Sequence, residues 1–236
     1  VLACPAQFRW DLTHRTEKPA YDWGHAIHAR LLGIGSDIVV VDAPDWRTKA
    51  ARDERDAAYA EGKTPILLAE SAAIDVAVQS VRDDQIAGPL FEAGTPELSG
   101  WWVDPDTGEW LLARWDWLTE GPDGRIWIVD FKSTADPAPM EFARSSRKFG
   151  YHCQDAWYRD AARALGVDDD PAFVLVAVGK TPPHIVTVHQ HDPELVALGA
   201  QRNRDAIDLW HACRVADEWP AYGSVVHTID APRWAR

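Results

Sequence analysis

The sequence has little cysteine, no long apolar run and no excess of positive charge. Its three cysteines, Cys4, Cys153 and Cys213, are scattered through 236 residues and form no CxxC pair. That spacing argues against a disulfide framework or a zinc ribbon and fits a reducing cytoplasm. The longest apolar run, "FVLVAVG" (173–179), reads as a strand and is far too short to cross a bilayer, so no membrane partner is expected. The opening "VLAC" loosely resembles a lipoprotein cleavage box; no apolar signal stands before it, and the expectation is that it does not act as one. Against 37 acidic residues there are 24 Lys and Arg, a net charge of −13. Such a chain is no general polyanion binder, and contact with nucleic acid would need a local basic patch or metal ions. Internal repeats and low-complexity tracts are absent.

Hydrophobic residues make up 46% of the chain, enough for a sizeable core. We expect a single domain over 1–236, with its core over 24–190 and a C-terminal helix over 192–219. After a leading segment containing "CPAQFRW", "YDWGHAIHARLLG" (21–33) reads as a short helix and "DIVVVDAP" (37–44) as a brief strand. "DWRTKAARDERDAAYAEGKTP" (45–65) is a charged helical stretch with few core residues, suited to solvent or to another subunit. "LLAESAAIDVAVQSVRDD" (67–84) is an amphipathic helix. From Glu97 the pattern turns to period two: a hairpin around "DPDTG", a turn at "TEGPDG", and the strand "RIWIVDFKS". One long helix is expected over 140–166, then strands at "AFVLVAVG" and "HIVTVHQH", then the last helix with a stripe of Leu195, Leu198, Ile207, Trp210 and Cys213. The order indicates an α/β fold with one central mixed β-sheet flanked by helices.

Charges interrupt this apolar sheet. Asp130 and Lys132 are two apart and share a strand face with Ile126 and Ile128, while Trp127, Val129 and Phe131 take the other. Both faces are apolar, so the strand is sandwiched. On the preceding strand Asp116 shares its face with Leu112, with Trp115 and Trp117 opposite. An unpaired buried carboxylate costs several kcal/mol. A Lys–Asp pair would settle one carboxylate and leave the other. A divalent cation with hard oxygen ligands satisfies both, which suits Mg²⁺ or Mn²⁺.

The order Asp116, a hairpin turn, then "DFK" (130–132) resembles the core of PD-(D/E)xK nucleases. In the RecB-like branch a helix upstream carries Gly-x-x-x-His, matched by Gly24 to His28, with His25 as fallback. The helix after the core carries Gln-x-x-x-Tyr, matched by Gln154 and Tyr158. More narrowly, "WRTKAARDERDAAYAEGKTPIL" and "FGYHCQDAWY" look like the exonuclease VIII (RecE-type) nuclease domain of phages and prophages, over most of residues 24–165. The resemblance implies a restriction-endonuclease-like fold and a metal-dependent exodeoxyribonuclease. It would digest linear duplex DNA from 5′ ends and leave a 3′ overhang for a RecT-like annealing protein. His28, Asp116, Asp130 and the Phe131 carbonyl would hold Mg²⁺ or Mn²⁺, two ions per site. Glu97 would touch the second metal or the water, Lys132 would orient that water, and Gln154 and Tyr158 would position the strand.

Some RecB-like relatives carry a four-cysteine iron–sulfur cluster, and Cys4 is similar to one of its ligands. Three scattered cysteines exclude that cluster. Relatives form rings around DNA, so a homo-oligomeric ring with a small basic lining would reconcile the acidic chain with a DNA substrate. Arg144, Arg147 and Lys148 read either as a solvated helix face or as phosphate contacts. Of the thirteen tryptophans most are core, and an exposed one could stack on bases. Two alternatives stay open: a DNA-end-binding or assembly module without catalysis, and an endonuclease of the same superfamily.

Overall fold

The computed structural model describes residues 1–14, 21–226 and 228–231. The chain divides into two compact units, Glu17–Asn203 and Val1–Thr16 with Arg204–Arg236. The larger unit holds a five-stranded mixed sheet in the order β3-β4-β5-β6-β7. These strands are β3 (Thr95–Val103), β4 (Trp110–Glu120), β5 (Ile126–Thr134), β6 (Ala172–Gly179) and β7 (Val186–His189). Only β5 and β6 run parallel, because the helical segment between them must cross over; the other neighbours are antiparallel. A separate parallel pair, β1 (Ile38–Val41) with β2 (Thr64–Leu67), frames α3 (Lys49–Ala60). The "TPIL" strand β2 is absent from the sequence reading. Its four residues are all buried, and Pro65 makes the segment look like a helix lead-in.

Both faces of the sheet are covered. On one, α2 (Asp22–Leu32) and α4 (Leu68–Asp83) pack Ile27, Leu31, Ile74 and Val78 against Trp117, Val129, Phe131, Val174 and Val176. On the other, α6 (Pro139–Phe149) and α7 (Tyr151–Ala164) pack Phe142, Ala161 and Ala162 against Trp115, Leu118, Ile128, Phe173 and Leu175. β6 is buried along its whole length, as a continuous apolar run in a parallel pairing demands. The long helix expected over 140–166 is two helices. Gly150 takes the left-handed conformation at φ 73° and ends α6, so α7 starts in a new direction. Between α4 and β3 lies one short turn of helix, α5 (Ala87–Leu90).

The smaller unit contains α1 (Pro5–Thr13), where the sequence reading has only a leading segment. Phe8 meets Trp210 edge-on at 5.8 Å and Trp210 meets Trp219 at 5.1 Å. Trp210 lies on α8 (Pro193–Ala216), the expected C-terminal helix, which starts in the larger unit. No helix among the described residues is long and apolar enough to cross a membrane.

Gly199, in the first half of α8, lies against the backbone of α7. A Cβ built there would stand 2.2 Å from the His152 carbonyl oxygen. Helix propensity alone would favour Gly199→Ala by about 1 kcal/mol. Overpacking against rigid backbone reverses the sign, and a net loss of about 1–2 kcal/mol is expected. Urea unfolding measures it; a variant as stable as the parent would mean that the two helices separate freely.

Candidate metal centre and active site

The site forms where β4 leaves β5. Their pairing runs from Glu120↔Ile126 to Trp117↔Val129 and stops there. At the same level the faces of β4 change over. Trp115 belongs to the core under α6 and α7, whereas Trp117 belongs to the core under α2 and α4. The expectation that Trp115 and Trp117 share a face is therefore corrected: the strand kinks at Asp116, and strict alternation does not survive a kink. Glu97 of β3 stands across from Asp116, between the pairs Pro96↔Trp117 and Leu98↔Trp115, with φ at 50°. A non-glycine residue there is strained, and such strain gathers at sites where side chains must be aimed.

The kink brings Glu97 and Asp116 to His28 of α2. His28 Nδ1 lies 3.2 Å from Glu97 Oε1, and Nε2 lies 3.1 Å from Asp116 Oδ2. Donor atoms of these three residues fall within 4.8 Å of one another, the one such His/Cys/Asp/Glu group among the described residues. The same Asp116 Oδ2 accepts the Phe131 N–H at 3.0 Å, replacing the ladder bond that β4 no longer supplies. Arg114 Nε donates to the other Glu97 oxygen at 2.8 Å. Arg114 is missing from the sequence reading, yet it lies two residues before Asp116, and period two would place it on that face. His25 is exposed, lines the adjoining cavity and stays out of the cluster.

Asp130 is fully buried beside this group, on the face of β5 that meets α7. One of its oxygens faces the Lys132 ammonium, and the other accepts from Gln154 Nε2 at 2.7 Å. Gln154 also reaches the Tyr158 hydroxyl at 3.1 Å, so the Gln-x-x-x-Tyr pair acts as one i, i+4 clamp on Asp130. Lys132 Nζ lies 5.0 Å from the centre of the Tyr151 ring. The basic residues of α6 diverge. Arg144 pairs with Glu141 and lines a cavity of about 450 Å³ with Lys148 and Lys180, while Arg147 faces a different, smaller one. A cavity of about 500 Å³ opens on His28, Glu97 and Asp116, with Lys63 and Arg114 also in its wall. There the Tyr59 hydroxyl donates to Asp22 and ties α3 to α2.

The electrostatics suit a cation. Burial works against the His28 imidazolium, but the hydrogen bond and charge of Asp116, with Glu97 and Asp130 behind, raise its pKa above the usual value. Burial likewise works against the Asp116 carboxylate, and His28, Lys132 and the Phe131 N–H together hold its pKa below the ordinary range. Burial, with the like charge of Asp116, pushes Asp130 up to about 7 despite Lys132. One imidazole and two carboxylates form a donor set that fits a divalent cation. A cation held by this group must displace the proton that the neighbouring carboxylates keep on His28, so its binding should release a proton and tighten as pH rises through the raised His28 pKa. Mn²⁺ calorimetry in two buffers of different ionisation heat reads the release directly; identical heats in both would show that no proton leaves.

The PDDEXK-like domain of unknown function, DUF3799, matches residues 1–232 of the chain. No curated protein matches it. Among solved structures, one described as a "Putative exonuclease" from Eubacterium rectale is similar with a TM-score of 0.63 at 12% identity, covering 97% of this chain and 83% of that one. The crystal structure of SSO0001 overlaps 80% of this chain and 85% of its own at 14% identity, with a TM-score of only 0.33, too low to bear on the fold. The kinked hairpin, the Asp-x-Lys strand and the sandwiched mixed sheet are the restriction-endonuclease-like core, and the motif supports a nuclease. With the match running over 1–232, the chain belongs to the PDDEXK-like DUF3799 family.

Proposed function

We propose that this protein is a divalent-cation-dependent exodeoxyribonuclease that hydrolyses phosphodiester bonds at the ends of linear duplex DNA. One observation carries the reading: His28, Glu97 and Asp116 converge within 4.8 Å beside the buried Asp130–Lys132 pair. His28, Glu97 and Asp116 would hold the ion, with Asp130 next to them as a further carboxylate. When bound, Mg²⁺ or Mn²⁺ supplies a lowered pKa to water and positive charge to the leaving oxygen. The chain's own residues do the rest. The Lys132 ammonium, directed by Asp130 and Tyr151, meets charge developing on the scissile phosphate. Gln154 and Tyr158 hold Asp130 in place, and Arg114 fixes the Glu97 carboxylate.

Action at ends, starting from the 5′ side and leaving a 3′ overhang for a RecT-like annealing protein, rests on the resemblance to the RecE type. The exonuclease description of the similar Eubacterium rectale structure supports the choice of ends. A ring of subunits is part of the same reading: α3 buries only Ala51 and Ala58 and presents a charged face suited to another subunit. End-labelled linear duplex and covalently closed circles, incubated with Mg²⁺ and with EDTA, provide the test. Linear DNA should be degraded in Mg²⁺ alone and circles spared. Equal cutting of circles would make the protein an endonuclease, and cation-dependent binding without any cutting would make it an end-binding module. Light scattering on the same samples should show an oligomer.

A further inference from the structure

Trp101 and Trp110 stand out among the tryptophans. They are 58% and 73% exposed, although the neighbouring Trp102 packs on Trp157 at 5.3 Å and Trp115 is buried. Their place explains why they are not core. Across the β3–β4 hairpin the register sets Ser99 opposite Arg114, Trp101 opposite Leu112, and Val103 opposite Trp110. Side chains opposite one another share a face, and that face recurs every second residue. Glu97 and Asp116 start this series of rungs, Arg114 occupies the next, and the two indoles follow. The opposite face is closed, with Gly100 against Trp115 and Leu165. The open face is thus a continuous strip leading out of the candidate active site, largely apolar in an acidic chain, with one guanidinium near the carboxylates.

We infer that this strip is the track of an unpaired nucleic-acid strand, with Trp101 and Trp110 as the platform on which its bases stack. The inference rests on the nuclease reading and adds where the substrate runs. At about 3.4 Å per residue the indole rungs lie about 14 and about 20 Å from Glu97. That is roughly four to six stacked nucleotides from the metal centre. Indoles offer flat faces that accept any base, and Arg114, paired with Glu97 through Nε but 66% exposed at its side chain, keeps its outer nitrogens on the side from which a phosphate would approach. A second copy of the chain pairing along edge strand β3 is the competing occupant. Continuity with the metal centre and the arginine between favour the nucleic-acid strand.

The test is binding of a labelled oligothymidylate in Ca²⁺, beside digestion of linear duplex in Mg²⁺, by the full chain. Trp101→Ala and Trp110→Ala should each weaken oligothymidylate binding about tenfold, the range for loss of one stacked base. Trp101→Phe and Trp110→Phe should keep most of the affinity, which separates stacking from misfolding. Unchanged affinity in both alanine variants overturns the inference. So does a wild-type protein that digests duplex but does not bind the oligothymidylate, and in that case the nuclease reading stands. Alanine variants that lose subunit association by light scattering, with DNA affinity intact, would assign the strip to a second copy and also overturn it. Failure of the wild type to digest any DNA in Mg²⁺ would instead strike the nuclease reading.

Discussion

Asp116→Ala is expected to lose both cation binding and DNA hydrolysis, the latter by more than the roughly hundredfold to thousandfold lost with one preorganised donor. Asp116 Oδ2 is shared by the His28 ring and the Phe131 N–H. Its removal takes away a ligand, frees the imidazole and leaves a backbone donor of β5 without a partner. The last effect costs about 1–3 kcal/mol of stability. Asp116→Asn separates the effects. The amide oxygen can still accept from Phe131, so stability should largely return while cation affinity and turnover stay lost. The His28 pKa should also fall in Asp116→Asn, because the carboxylate that raises it is gone. Calorimetric Mn²⁺ binding and single-turnover digestion read the outcome. Normal Mn²⁺ affinity in Asp116→Asn would remove Asp116 from the ligand set.

Lys132→Ala is expected to lower single-turnover digestion roughly a hundredfold or more, as for loss of one transition-state contact. Cation binding should persist, since Lys132 is no ligand, and DNA affinity in Ca²⁺ should change little, because one phosphate contact among many is lost. The variant should also be less stable, because Asp130 is fully buried and Lys132 is its counter-ion. Removing one member of a buried pair costs about 3–5 kcal/mol where the remaining charge cannot escape. Asp130 can escape by taking a proton, since its pKa is already pushed up to about 7. A carboxyl whose folded pKa is raised costs stability increasingly as pH climbs from its unfolded to its folded pKa, and the cost is full above the folded value. Loss of the Lys132 charge lifts the Asp130 pKa further, so the stability deficit of Lys132→Ala against the parent should open above about pH 7 and shrink as pH falls from about 9 to about 7. Urea melts across that range check the sign. Digestion at the parental rate would make Lys132 only the partner of a buried aspartate.

The strand "RIWIVDFKS" was legible in the sequence because alternation is local: two apolar faces and charges two apart place Asp130 and Lys132 together without knowledge of any neighbour. The same local logic put Gln154 and Tyr158 on one helical face. Charge inside an apolar pattern also brought Asp116 and Asp130 under suspicion, since it demands a partner, whereas His28 was marked only by the resemblance to the RecB-like branch. Only the tertiary structure decided who the partners are. Asp130 is held by Lys132 and Gln154, and the cluster around His28 is completed by Glu97, because β4 kinks at Asp116 and parts from β5. A kink changes which face every later residue occupies, so Trp117, two residues from Trp115, enters the other core. Gly199 shows the limit from another side: within its helix an alanine would be preferred, and only the carbonyl of His152 on a helix some fifty positions earlier forbids it. Periodicity encodes what a residue's own element requires. Ion pairs, kinks and close approaches depend on which elements meet, and that is settled by the balance of burial and pairing over the whole sheet.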